Sequence, residues 1–359
     1  MAWGLAEKVA VRVSGREPFA ASYHHDSLAG DFEELTAEAE TLVSEATGLV
    51  SLAGPARARV TDRVGWVRAN VASFQRLLRP LTEKLGETVG ANPVAGAVTR
   101  NVAGAELGAL LGWMSTRVLG QYDLLIVEEE SPEDQDLVYY VGPNILALEK
   151  RFAFPPREFR LWLALHEVTH RLQFTGIPWL RPHFLSLVEG SIGDVSVDPK
   201  RFLDVIRRAA DEVLAGRNPL DEGGIVALVA TPEQQLVMSR IGGMMSLLEG
   251  HGDVTMDRAG ADRIPSAERF GRVLRQRRAQ RSGPARVLQK LIGLEAKLNQ
   301  YEQGERFIEA VEAAGGTGLL DRAWTGPEWL PSMDEIRAPA MWIERVEALA
   351  GADAGTSTS

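Results

Sequence analysis

The chain has 359 residues, 45% of them hydrophobic, a formal net charge of −10 and no cysteine. That length and apolar content allow a large buried core and exclude a disordered chain or a small disulfide scaffold. The lack of thiols excludes disulfides, cysteine-type zinc fingers, iron–sulfur clusters and thiol nucleophiles, and it suits a cytoplasmic protein. The acidic balance argues against a nucleic-acid-coating surface.

The first residues, MAWGLAEKVAVRVSGREPF, lack the basic start and uninterrupted apolar run of a secretory signal. Asp31–Thr47 combines good helix formers with apolar residues at helical spacing. A second helix is expected over Val60–Leu85, kinked or ended by Pro80. Val94–Gly120 is the most apolar stretch, but Arg100, Glu106 and Arg117 interrupt it, and its longest uncharged run, Leu107–Thr116, is too short to span a bilayer. No membrane partner is expected. Gly104, Gly108 and Gly112, four apart, predict instead a buried helix lying close against a neighbour. Two strands follow, Tyr122–Val127 and Leu137–Val141, joined by the acidic loop EEESPEDQD, and Gly142-Pro143-Asn144 ends the second. Beyond Pro155 the pattern predicts helices over Arg157–Phe174, Pro182–Ser191, Pro199–Gly216, Pro232–Met256, Ala267–Arg281, Ala285–Tyr301 and Glu302–Ala314. The terminal GADAGTSTS reads as a frayed tail.

One helix carries a chemical signal. Within Leu161–Leu172, LWLALHEVTHRL, stands His166-Glu167-Val168-Thr169-His170. Residues four apart on a helix lie one turn apart on one face, so both imidazoles can bind one zinc ion. Glu167, beside them, suits a general base that takes the proton of an activated water and later returns it to a leaving amine. The apolar turn Leu161–Leu165 and the strand pair upstream are the setting this motif needs. Arg171 departs from it, because such helices usually carry an uncharged residue there. The plain alternative is a metal-free helix whose two histidines are hydrogen-bonded in the core.

The third ligand has two candidates. Gly176 occupies the position where a longer three-histidine motif would need histidine, so that class is excluded; the alternative arrangement places a glutamate on a later helix. Glu189 follows His170 by 19 residues. Glu249 lies in MMSLLEGHGDVTMD, four residues before Asp253, so one helix face would present both. Glu249 would then bind zinc while Asp253 orients a ligand imidazole through its ring N–H. Gly242, Gly243, Gly250 and Gly252 would let that helix approach the first one closely.

The blocks HEVTHRLQFTGIPWLRPHF, SLLEGHGDVTMD and GLEAKLNQYEQGERF resemble the zincin-like metallopeptidase type 2 family. This actinobacteria-rich group includes members labelled coenzyme biosynthesis-associated, and the resemblance runs roughly from Tyr122 to Ala314. It implies a bacterial protein, a zincin-like fold and a zinc hydrolase, and it favours the EGHGD block, hence Glu249, over Glu189. No substrate comes with it.

The expected architecture is therefore α+β and predominantly helical: a zincin-like metalloprotease core with a small β-sheet and added helices. Its organisation would be an N-terminal helical region (1–120), the catalytic core (121–260), a C-terminal helical region packed on it (261–350) and a tail (351–359). The expected site is His166, His170 and Glu249 around Zn2+, with Glu167 as catalytic base and a peptide or amide as substrate. A zincin-fold scaffold that cleaves nothing is the competing reading, though it has no need of Glu167. Three weaker signals read as ordinary surface or core: the arginine run Arg272–Lys290, the turn His24-His25-Asp26, and Tyr301.

Overall fold

The computed structural model describes residues 1–19, 22–77, 79, 93–124, 136–193, 232–279 and 294–356. Outside them lie the second half of the first predicted strand (Leu125–Val127), most of the acidic loop, the helix Pro199–Gly216 and the start of the helix Ala285–Tyr301. The chain is helix-rich α+β, as expected, with one small mixed sheet among the described residues. It divides into two compact units, Met1–Gly176 with Thr255–Phe270, and Ile177–Val254 with Gly271–Ser359.

The first unit begins with α1 (Trp3–Ser14) and α2 (Tyr23–Thr47). The second of these starts eight residues earlier than the periodicity predicts. Ser22 caps it by accepting from the His24 backbone N–H, so His24, His25 and Asp26 form a first helical turn rather than a surface turn. Gly48 closes it in the left-handed conformation.

Next comes β1 (Arg57–Thr61), where a helix was expected from Val60. Its sequence RARVT has too little apolar content to signal a strand; pairing in parallel with β3 (Leu137–Val141) makes it one. The helix α3 (Arg63–Leu77) follows only after Asp62, whose carboxylate accepts from the Gly65 N–H at 2.6 Å. The strand β2 (Gly120–Tyr122) pairs antiparallel with β3, in the order β1-β3-β2. It starts earlier than predicted and ends at Tyr122. From β3 the chain passes directly into α5 (Gly142–Phe152), after the glycine-rich α4 (Pro93–Ser115) has preceded β2.

The glycine repeat of α4 packs as predicted, and its neighbour is α1. A Cβ on Gly104, Gly108 or Gly112 would strike the backbone carbonyl of Ala2, Ala6 or Ala10 respectively. Small residues at four-residue spacing on both helices let the backbones touch. Ala10, Trp66, Val67, Val71, Leu111 and Val141 close the core there.

α6 (Pro156–Gly176) runs through the middle of this unit and is buried almost throughout Phe159–Thr175. Pro156 suits the first helical position. Phe154, Phe159, Trp162 and Phe270 stack around its N-terminal half with ring centroids 4.7–6.2 Å apart.

The second unit is helical among its described residues. It holds α7 (Leu180–Gly193), the Pro232–Val254 part of α8 (Pro232–Gly260), and α10 (Leu294–Gly315). α9 (Ala267–Ala279) begins in the first unit and ends in the second. Short turns lead to α13 (Pro339–Thr356), preceded by α11 (Thr317–Leu320) and α12 (Met333–Arg337). The predicted tail is thus helical as far as Thr356, and its last three residues lie outside the described range. The core comprises Leu247, Phe307, Ile308, Val311, Trp329 and Trp342. Two of the four glycines singled out on α8 lie against neighbours other than the histidine helix. Gly250 abuts Gly304 of α10, and Gly243 abuts Pro331 and Ser332.

Candidate metal centre

α6 presents His166 and His170 on one face, both half-buried. Their Nε2 atoms are 3.2 Å apart and their rings stand at 84°. Two nitrogens bound tetrahedrally to one zinc ion at 2.0–2.1 Å would be about 3.3 Å apart. The helix alone therefore sets the imidazoles at the spacing such an ion requires.

His170 is oriented from its own helix. Its Nδ1 lies 3.0 Å from Gln173 Oε1, and Gln173 is fully buried. An amide oxygen can only accept, so this contact is a hydrogen bond in the tautomer with the proton on Nδ1, which leaves the Nε2 lone pair toward His166. Gln173 is thus a candidate to orient His170 that the reading of Asp253 did not include. The signal was present in the sequence as a glutamine three residues after the second histidine, one helical turn along the same face.

Glu249, on α8, is 7% exposed. One ligand atom from each of His166, His170 and Glu249 lies within 4.8 Å of the other two. Two imidazole nitrogens and a carboxylate oxygen are a donor set of the kind that holds zinc. Glu189, the other candidate, is exposed on α7 and stands outside this group.

Glu167 is 8% exposed and points to the small sheet. Its carboxylate lies against Gly120 of β2: a Cβ built there would be 2.7 Å from both Glu167 Cγ and Oε1. Tyr140, the cross-strand partner of Gly120, is fully buried. Burial raises its phenol pKa well above the ordinary value; a 2.8 Å hydrogen bond with Thr36 opposes that shift and the nearby Glu167 charge adds to it. The phenol therefore stays neutral beside the carboxylate. Sequence reasoning singled out neither Gly120 nor Tyr140.

Arg171, the residue that departed from the motif, is fully buried. Its guanidinium donates to Asp136 at 2.7 Å, Glu40 at 2.7 Å and the Gly54 carbonyl at 2.8 Å. Tyr122 donates to the same Asp136 carboxylate at 3.0 Å. One cation thereby ties α2, the segment before β1, the start of β3 and the end of β2 to the histidine helix.

The family of zincin-like metallopeptidases matches residues 1–343, and the chain belongs to that family. No curated protein matches it. It is similar to a solved structure from Chloroflexus aurantiacus, described as "a putative hydrolase with a novel fold". The two share 31% identity over 97% of this chain and 99% of the other, with a TM-score of 0.69.

Proposed function

We propose that the protein is a zinc-dependent hydrolase of peptide or amide bonds, with His166, His170 and Glu249 as metal ligands and Glu167 as general base. The grouping of two imidazoles and one buried carboxylate carries this reading. Family membership supports the metal and the hydrolase class. A zinc ion held there would polarise a carbonyl and lower the pKa of a bound water.

The remaining steps belong to the chain's own side chains. Glu167, next to His166 in sequence, is not among the three grouped residues, and its carboxylate is assigned the proton transfer instead. It takes the proton of the attacking water and delivers it to the leaving nitrogen. The Gln173 amide oxygen, 3.0 Å from His170 Nδ1, would favour the tautomer that turns the Nε2 lone pair to the metal.

The test is Glu167→Gln. The amide keeps the size of the side chain but cannot accept the proton. The variant is expected to hold about one zinc ion per chain, as a mononuclear site does, and to lose cleavage of any peptide that the wild type selects from a mixed fluorogenic library. Equal rates for wild type and variant overturn the assignment of the base. A zinc-loaded wild type that cleaves nothing in the library points to a scaffold with the same fold.

A further inference from the structure

Gly120 stands where a strand gains nothing from glycine. Its backbone is not in the left-handed region, which among the described glycines is occupied by Gly15, Gly48, Gly54 and Gly316. Any residue could adopt its conformation, and glycine within a strand lowers strand stability. The requirement at this position is space. Glu167 Cγ, Oε1 and Cδ lie 2.7, 2.7 and 2.9 Å from where a Cβ would be. The register sets Gly120 opposite Tyr140, so the Glu167 carboxylate takes the place of the missing side chain beside a buried, neutral phenol.

We propose that Gly120 is a positioning residue for Glu167: the bare backbone of β2 is the seat of the catalytic carboxylate, and any side chain at 120 displaces it. This rests on the reading of Glu167 as the base. The atoms that must yield to a Cβ all belong to the Glu167 side chain and none to backbone, so a rotation of that side chain accommodates the change while the carboxylate moves. A displacement of about 1 Å at a reacting group can cost on the order of 100-fold in rate.

The experiment uses zinc-loaded full-length protein and acetohydroxamate, a metal-chelating probe whose hydroxyl proton is taken up by a neighbouring carboxylate. Affinity is measured for wild type, Gly120→Ala, Glu167→Ala and the double variant. The expected outcome is a loss of about tenfold or more for Gly120→Ala alone. In Glu167→Ala protein, adding Gly120→Ala is expected to change affinity less than about twofold, because residues that act through one another are not additive. Zinc affinity and melting temperature should stay nearly constant, which a merely structural role for Gly120 would not give. Unchanged affinity in Gly120→Ala, or equal losses in both backgrounds, overturns the seat. If Glu167→Ala itself leaves acetohydroxamate binding unchanged, the base reading fails first and the proposal falls with it.

Discussion

At the scale of single residues, the site depends on which atom of each side chain faces the metal position. Gln173 is the candidate to decide this for His170, and its replacement tests the point without a substrate. Gln173→Leu removes the acceptor at 3.0 Å from Nδ1 and frees the ring to change tautomer. Zinc affinity is expected to fall roughly 10–100-fold, the usual cost of losing such a partner, measured by competition with a chromophoric chelator. An unchanged affinity would show that the helix alone orients the ring. The two acidic candidates separate in the same assay. Glu249→Ala should weaken zinc binding strongly, because a buried carboxylate leaves the ligand group; Glu189→Ala, on an exposed helix face, should leave it unchanged.

At the scale of elements, the histidine helix is held by charge as well as by apolar contact. Arg171 is buried with two carboxylates, Asp136 and Glu40, in reach of its fork. Removing only the cation leaves both acids uncompensated in a low-dielectric setting, so Arg171→Met should cost about 3–5 kcal/mol. Urea unfolding measures this, and adding Asp136→Asn should recover part of the loss. The small-residue contact of α1 with α4 behaves differently, since it is steric and apolar. In Gly108→Val the new side chain meets the Ala6 backbone, which cannot move aside as a side chain can. A loss of about 1–3 kcal/mol or more is expected from overpacking. A Val at 108 that left stability unchanged would mean that the helices do not touch there.

At the scale of the whole molecule, metal and pH act through linkage. The three proposed ligands are spread in sequence from His166 to Glu249, so a folded chain would bind zinc far better than an unfolded one. Free zinc at 100 times the Kd would add about 2.7 kcal/mol of stability. Chelation should therefore lower the melting temperature of the wild type and leave that of His166→Ala/His170→Ala unaffected. Protons act at Glu335. Burial alone would raise its carboxyl pKa, but hydrogen bonds from Arg345 at 2.6 Å and from Ser332 outweigh this and hold it below the ordinary 4.5. A carboxylate with a depressed folded pKa stabilises fully above its unfolded value and loses that contribution as pH falls through the folded one. Glu335→Gln, which also weakens the capping box with Ser332, should cost about 1 kcal/mol at neutral pH. The gap between the two melting curves should close as pH drops below 4.5.

No helix among the described residues is long and apolar enough to cross a membrane, in keeping with the charges that interrupt Val94–Gly120. The local readings that held rest on short-range physics. The i, i+4 spacing puts both imidazoles on one face, and the four-residue glycine repeat makes a flat helix face whatever lies opposite. Long-range decisions were hidden because they depend on partners that sequence distance conceals. RARVT is a strand because β3 pairs with it; Gly250 is small because of Gly304 rather than the histidine helix; Arg171 is tolerated because Asp136 and Glu40 reach it. The motif alone set His166 and His170 one turn apart on one helix face with Glu167 beside them, which is why those residues could be singled out. Packing decided which buried carboxylate groups with the histidines, which amide lies against one of them and which bare stretch of strand makes room for Glu167, since each of these is a matter of a few ångströms between segments distant in the chain or facing each other across a turn.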